Sequence, residues 1–319
     1  MRRLLQVTAL VLLAAGPVAA QDRYAVVITG APGGDEFAAT YRTWEQRATT
    51  ALVERLGFAK DHVDVLSGAA ETSEQSSSRV HVEQVLGHLK QVTRPDDVVL
   101  ILLMGHGSAD GGVAKFNLPG PDLTSTEWAG LLHDVPGRLV VVNSSGASFP
   151  FLADLAARGR IVITATDSVA QRYDTVFPDA WLAALTDPSA DLDKNGRVSV
   201  WELFVYASRQ VARHYTQENL LPTERALIDD SGAGIGLDAT AESGNDGTLA
   251  RATYFEREPA EINADAAMAA LLARRRVLEE RAEVLRQHKK TMAPEQWDRE
   301  FEQLMIELAR VSHRIRAGS

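Results

Sequence analysis

Three apolar runs constrain this chain more than anything else in it. Residues 97–104 contain VVLILLM, and 139–142 and 161–164 repeat the pattern with LVVV and IVIT. A strand with one wet face alternates apolar and polar residues, whereas an unbroken apolar run suits a strand covered on both faces, as in the centre of a parallel sheet. Two shorter runs, 24–28 and 63–66, read as further strands. Between them, residues 35–57 carry Phe37, Tyr41, Trp44, Ala48, Leu52 and Leu56 at helical spacing and close on Gly57. Residues 80–92 place Val82, Val85, Leu86 and Leu89 on one side of a second helix. Strands alternating with helices predict a three-layer α/β fold with a mostly parallel sheet and right-handed crossovers. In such sheets function gathers beyond the carboxyl ends of the strands. Two segments stand there: Gly105-His106-Gly107, and the turn from Asn143 to Ser148.

The ends of the chain differ in character from this core. Arg2 and Arg3, an apolar stretch over 4–15 and small residues at Val18-Ala19-Ala20 form the pattern of a signal peptide, residues 1–20, cleaved near Ala20. The expected location is therefore periplasmic or secreted. The apolar stretch is short for a membrane span, and no other segment offers one, so no span is expected after cleavage. The chain has no cysteine, which excludes disulfides, thiolate metal ligands and a thiol nucleophile. Its net charge of -10 gives no basic footprint for nucleic acid. The α/β domain is expected over 21–250. Over 258–319 the chain turns rich in Ala, Leu, Arg and Glu. Ala264, Leu271, Leu278 and Leu285 lie seven apart, Pro294 suits a new first turn, and Trp297, Phe301, Leu304, Leu308, Val311 and Ile315 follow at alternating spacings of four and three. This predicts an antiparallel helical hairpin or, as the second choice, an intermolecular coiled coil through which the chain oligomerises.

A buried strand ending in Gly105-His106-Gly107, followed about 35 residues later by a strand ending in a Ser/Gly-rich turn, resembles the clan of legumains, caspases and metacaspases. The resemblance spans roughly 24–236. It implies a caspase/haemoglobinase-like fold in which His106 sits where the family has its general base. The family nucleophile is a cysteine in a C-x-S-G turn. That pattern aligns on Asn143-Ser144-Ser145-Gly146 or, shifted by three, on Gly146-Ala147-Ser148-Phe149, so Asn143 or Gly146 takes the cysteine's place and neither is a nucleophile. Ser144, Ser145 and Ser148 remain on the turn. A serine needs a well-placed base, itself held by a carboxylate, and Asp110 and Asp167 are the orienters considered. No G-x-S-x-G elbow is present. Asp167-Ser168 would flank the family's substrate pocket. Gly30-Ala31-Pro32-Gly33-Gly34 fits neither dinucleotide nor P-loop spacing and reads as a turn at the sheet edge.

The twelve residues 191–202, DLDKNGRVSVWE, match the EF-hand loop at every key position. Asp191, Asp193 and Asn195 supply side-chain oxygens, Gly196 allows the sharp turn, Arg197 offers its carbonyl, Ser199 acts directly or through water, and Glu202 closes the loop as a bidentate ligand. The predicted cofactor is one structural Ca²⁺. Ser199 and Glu202 also have the spacing of a capping box, although a capping box does not account for the acidic spacing or the glycine. Asp229 and Asp230 are further ligands or turn residues. Together these features predict an exported pseudopeptidase that binds a protein or peptide in the cell envelope. The alternative is a hydrolase pairing His106 with Ser144, Ser145 or Ser148.

Overall fold

The computed structural model describes residues 21–70, 75–240, 247–257 and 265–318. The expected signal peptide lies outside the described residues. A six-stranded sheet carries the α/β domain. It is built from β1 (Arg23–Thr29), β2 (Val63–Leu66), β3 (Val98–Met104), β7 (Arg138–Asn143), β8 (Arg160–Thr164) and β9 (Leu227–Asp229) in the order β2-β1-β3-β7-β8-β9. All neighbours pair in parallel except β8 with β9. The register is continuous through the centre: Leu102 lies beside Val27 on one flank and Val142 on the other.

The alternation of β3 divides the core. Leu100, Leu102 and Met104 pack into one apolar cluster with α1 (Asp35–Thr50), α5 (Phe177–Ala184) and α6 (Val200–Gln217). Val99, Ile101 and Leu103 join a second cluster with α2 (Arg79–Val92), α3 (Ser125–Leu132) and α4 (Phe149–Asp154). Helices therefore cover both faces, which is why β3 tolerates no polar residue: all seven of its side chains are buried. Burial of each Val, Leu or Ile of such a strand contributes about 1.5–3 kcal/mol relative to exposure. The helix read over 35–57 forms as α1 continued by a π-helical turn, Ala51–Arg55, and Gly57 follows with a φ of 69°. A small antiparallel sheet, β4 (Gly107–Asp110), β5 (Val113–Phe116) and β6 (Leu123–Thr124), rises directly from the histidine turn. Its strands, only two to four residues long, are too short to show a period in the sequence.

Beyond the short helix α7 (Thr248–Arg251), α8 (Ala266–Gln287) and α9 (Pro294–Gly318) form the helical hairpin. They run antiparallel: the Trp297 indole donates to the Leu285 carbonyl near the turn, and Arg274 meets Glu307 further along both helices. Leu278, Ala282, Leu304, Val311 and Ile315 form its buried seam, with Leu271, Leu285, Phe301 and Leu308 packed against it. Among the described residues, no helix is long and apolar enough to cross a membrane.

Candidate functional site

His106 follows β3 and the turn that follows β7 stands beside it, because the two strands are sheet neighbours. The imidazole is held on both nitrogens. Nε2 donates to the Pro32 carbonyl at 3.2 Å, and Nδ1 lies 2.8 Å from the Asp174 carboxylate. Phe37 meets the ring edge-on, with centroids 4.6 Å apart, and Tyr41 lies at 5.9 Å. Burial, with the nearby Asp174 charge, pushes the Tyr41 hydroxyl far above its ordinary range, so it stays neutral. The carboxylate beside His106 is thus Asp174, which no sequence motif singles out: it sits in an irregular loop. The two orienters considered from sequence lie elsewhere. Asp110 ends β4 in an exposed position, and Asp167 faces Arg225. The turn at 30–34 follows β1, an inner strand paired with both β2 and β3, so it lies beyond the carboxyl end of the sheet rather than at an edge strand; its backbone amides reach the Met104 and Asn117 carbonyls.

The turn after β7 is almost wholly buried, and its polar side chains are spent on holding its shape. Asn143 is the last residue of β7; its Oδ1 accepts from the Ser145 amide at 3.0 Å and the Ser145 hydroxyl at 2.7 Å. The Asn143 Nδ2 is buried without a hydrogen-bond partner. Ser144 donates its hydroxyl to the Leu103 carbonyl at 2.7 Å, and the Ser144 carbonyl accepts from Thr175. Ser148 pairs with the Thr166 hydroxyl at 3.1 Å. Of these residues, Ser145 lies against the histidine turn: a Cβ on Gly107 would fall 2.5 Å from the Ser145 Oγ and 2.3 Å from the Gly146 carbonyl oxygen. Gly146 is equally confined, since a Cβ there would fall 2.7 Å from the Tyr173 carbonyl oxygen. Of the two positions aligned with the family cysteine, Gly146 has no room for a side chain and Asn143 turns its amide onto Ser145.

The loop over 191–202 folds as a compact acidic turn. Asp191, Asp193 and Glu202 bring carboxylate oxygens within 4.8 Å of one another. Asp191 accepts from the amides of Asn195 and Gly196, Asp193 from Asn195, and Asn195 from Arg197, all at 2.9–3.1 Å. Gly196 has a φ of 86° and Lys194 a φ of 60°, so the chain reverses within the loop. An accepted amide uses one lone pair of an oxygen and leaves another for a cation. Glu202 has a double role. One oxygen accepts from Leu192 and Asp193, and the other completes a capping box with Ser199 at the start of α6. The Arg197 guanidinium lies over the Tyr254 ring at 3.8 Å. Asp229 and Asp230 belong to turns: Asp229 accepts from the amides of Ser231, Gly232 and Gly234, and Asp230 from those of Gly247 and Ala250. Glu224, beside them in sequence, caps α5 through the amides of Val176 and Phe177, and burial pushes its carboxyl up.

No family model matches the chain, and no curated protein matches it. Among solved structures, protein GSU0716 from Geobacter sulfurreducens is similar over 65% of this chain and 92% of its own, at 15% identity and a TM-score of 0.43. A likeness at that level carries no functional argument.

Proposed function

We propose that this chain is an exported, catalytically silent peptidase-like domain that holds an extended peptide or protein partner of the cell envelope in the cleft above β3 and β7. One observation carries the reading: both nitrogens of His106 face acceptors, Pro32 and Asp174, while the hydroxyls of Ser144, Ser145 and Ser148 are committed to Leu103, Asn143 and Thr166. A general base needs a lone pair aimed at its nucleophile, and no described hydrogen bond joins the imidazole to a serine. The exposed Tyr173 and half-exposed Phe149 border the turn and offer aromatic surface to a bound chain. Export is supported by the basic, apolar and small-residue order of residues 1–20. Its test is N-terminal sequencing of the periplasmic fraction, which should start at Gln21.

The packing of Ser145 against Gly107, next to His106, supports a second reading, a serine hydrolase. Treating the folded protein with a fluorophosphonate probe separates the two. The silent reading expects no adduct; an adduct on Ser145 that disappears in His106→Ala would sink it.

We further propose that the loop over 191–202 binds one structural Ca²⁺ through Asp191, Asp193, Asn195, Ser199, Glu202 and the Arg197 carbonyl. Support comes from the twelve-residue spacing together with the convergence of three carboxylates. Calorimetry on chelator-treated protein should give one site, absent from the Asp191→Ala, Glu202→Ala double variant.

A further inference from the structure

The hairpin buries one seam and leaves a second face whose pattern is too regular for a plain solvated surface. On α8, Arg274, Val277, Arg281, Val284 and His288 follow one another at spacings of three and four. They form a stripe next to the buried seam of Leu278, Ala282 and Leu285. Val277 and Val284, one heptad apart, are 45% and 52% exposed. On α9, Glu300, Gln303 and Glu307 form the matching stripe beside Leu304. Arg281, Val284 and His288 of the first stripe and all three residues of the second wall an open groove of about 610 Å³ floored by Leu285 and Leu304; Val277 continues the stripe one heptad before Val284. A two-helix hairpin with a single seam leaves such a groove open, and a further helix laid into it completes a bundle.

We infer that the groove is covered by a second copy of this chain, so that two hairpins form a four-helix bundle. The walls differ in charge. The α8 wall carries Arg281 and His288, and the α9 wall carries Glu300 and Glu307. A two-fold axis parallel to the helices sets α8 of one copy against α9 of the other, antiparallel, with the turns at the same end. Arg281 then faces the acidic wall of the second copy, and the same contact repeats across the axis, as an isologous interface requires. Val277 and Val284 enter the new core. A copy stacked α8 on α8 would oppose like charges, which costs specificity.

Sedimentation equilibrium of the chain lacking residues 1–20 tests this at micromolar concentration. The wild type should run at twice the chain mass. Val277→Glu with Val284→Glu should run at the chain mass with an unchanged far-UV spectrum, because both positions are exposed in the single chain. Arg281→Glu and Glu300→Arg should each weaken association at least tenfold, and the two together should restore it. A wild type that stays at the chain mass, a dimer indifferent to the valine pair, or charge variants without mutual rescue would each overturn the inference. A heterologous protein bound by a monomeric hairpin would do the same.

Discussion

Gly107 shows how closely the histidine turn and the turn after β7 are fitted. A methyl group there has no space, being 2.3 Å from the Gly146 carbonyl oxygen and 2.5 Å from the Ser145 hydroxyl. The Gly146 oxygen belongs to the backbone, so a rotamer change at Ser145 alone cannot make room and the backbone must shift. Gly107→Ala is expected to cost about 1–3 kcal/mol, the range for overpacking a tight site, read as a lower midpoint in urea at constant slope. Gly111 makes a fair control: its surroundings are open, although its φ of 55° disfavours a side chain by itself. The residue types of this region were readable from sequence. Gly105-His106-Gly107 and the Asn143–Ser148 turn do meet, because the runs before them pair as β3 and β7. What sequence left open was which turn residue faces the histidine. Adjacency across strands depends on register and on the turn's own hydrogen bonds, and these put Ser145 against Gly107. Asp174 escaped notice for the same reason: only the path of an irregular loop brings it to the imidazole.

At the level of single elements, two capping boxes give opposite lessons. Thr124 and Glu127 start α3, and Glu127 also receives Arg79 from α2 at 2.9 Å. The Arg79 hydrogen bond, followed by those from Thr124, holds the Glu127 carboxyl down at about 2 against an ordinary 4.5. A carboxyl lowered on folding stabilises the protein above its unfolded value, and the contribution fades as pH falls from 4.5 towards 2. Glu127→Gln should therefore lose about 1 kcal/mol at neutral pH, a capping-size effect given the exposure of the pair. The variant and wild type should converge in acid, which thermal melts between pH 7 and 2.5 would follow. Glu202, by contrast, has cap and candidate ligand roles that separate by mutation. Asp193 is exposed and bonds only within the loop, so Asp193→Ala should abolish the calcium-dependent rise in melting temperature and leave the metal-free melt nearly unchanged. Glu202→Ala should lower the metal-free melt as well, by about 1–3 kcal/mol, because four donors lose their buried acceptor. For the wild type, calcium at a hundred times its dissociation constant should add about 2.7 kcal/mol. Equal metal-free melts for the two variants would mean that the cap contributes nothing. The spacing of this loop was plain in the sequence because its candidate ligands lie within twelve residues, unlike the groups that meet at His106.

Across the whole molecule, the apolar clusters decide what can unfold alone. Two clusters lie on either face of one sheet and share every central strand, so they should melt together. The hairpin cluster contains no residue of the sheet. It meets the α/β domain through polar groups: Arg276 donates to Gln21 at 2.8 Å, and Arg275 and Glu279 line a cleft with Arg138 and Arg197. The change of period in the sequence, from continuous apolar runs to spacings of three and four, marks where α8 and α9 form. It could not foretell the groove, since Val277 and Val284 differ from seam residues by only one position on α8 and only the packed hairpin shows which stripe is left outside. Truncation before residue 258 should therefore leave a cooperatively folded α/β domain with unchanged calcium affinity and unchanged behaviour towards the fluorophosphonate probe. Calorimetric scans of the truncated and the longer chain check this. The longer chain should show an additional transition whose midpoint rises with protein concentration, because a hairpin stabilised by a second copy gains from mass action while the sheet does not. If truncation instead abolishes the main transition, the hairpin is part of the domain's fold, and the cleft, the loop and the bundle must be treated as one cooperative unit.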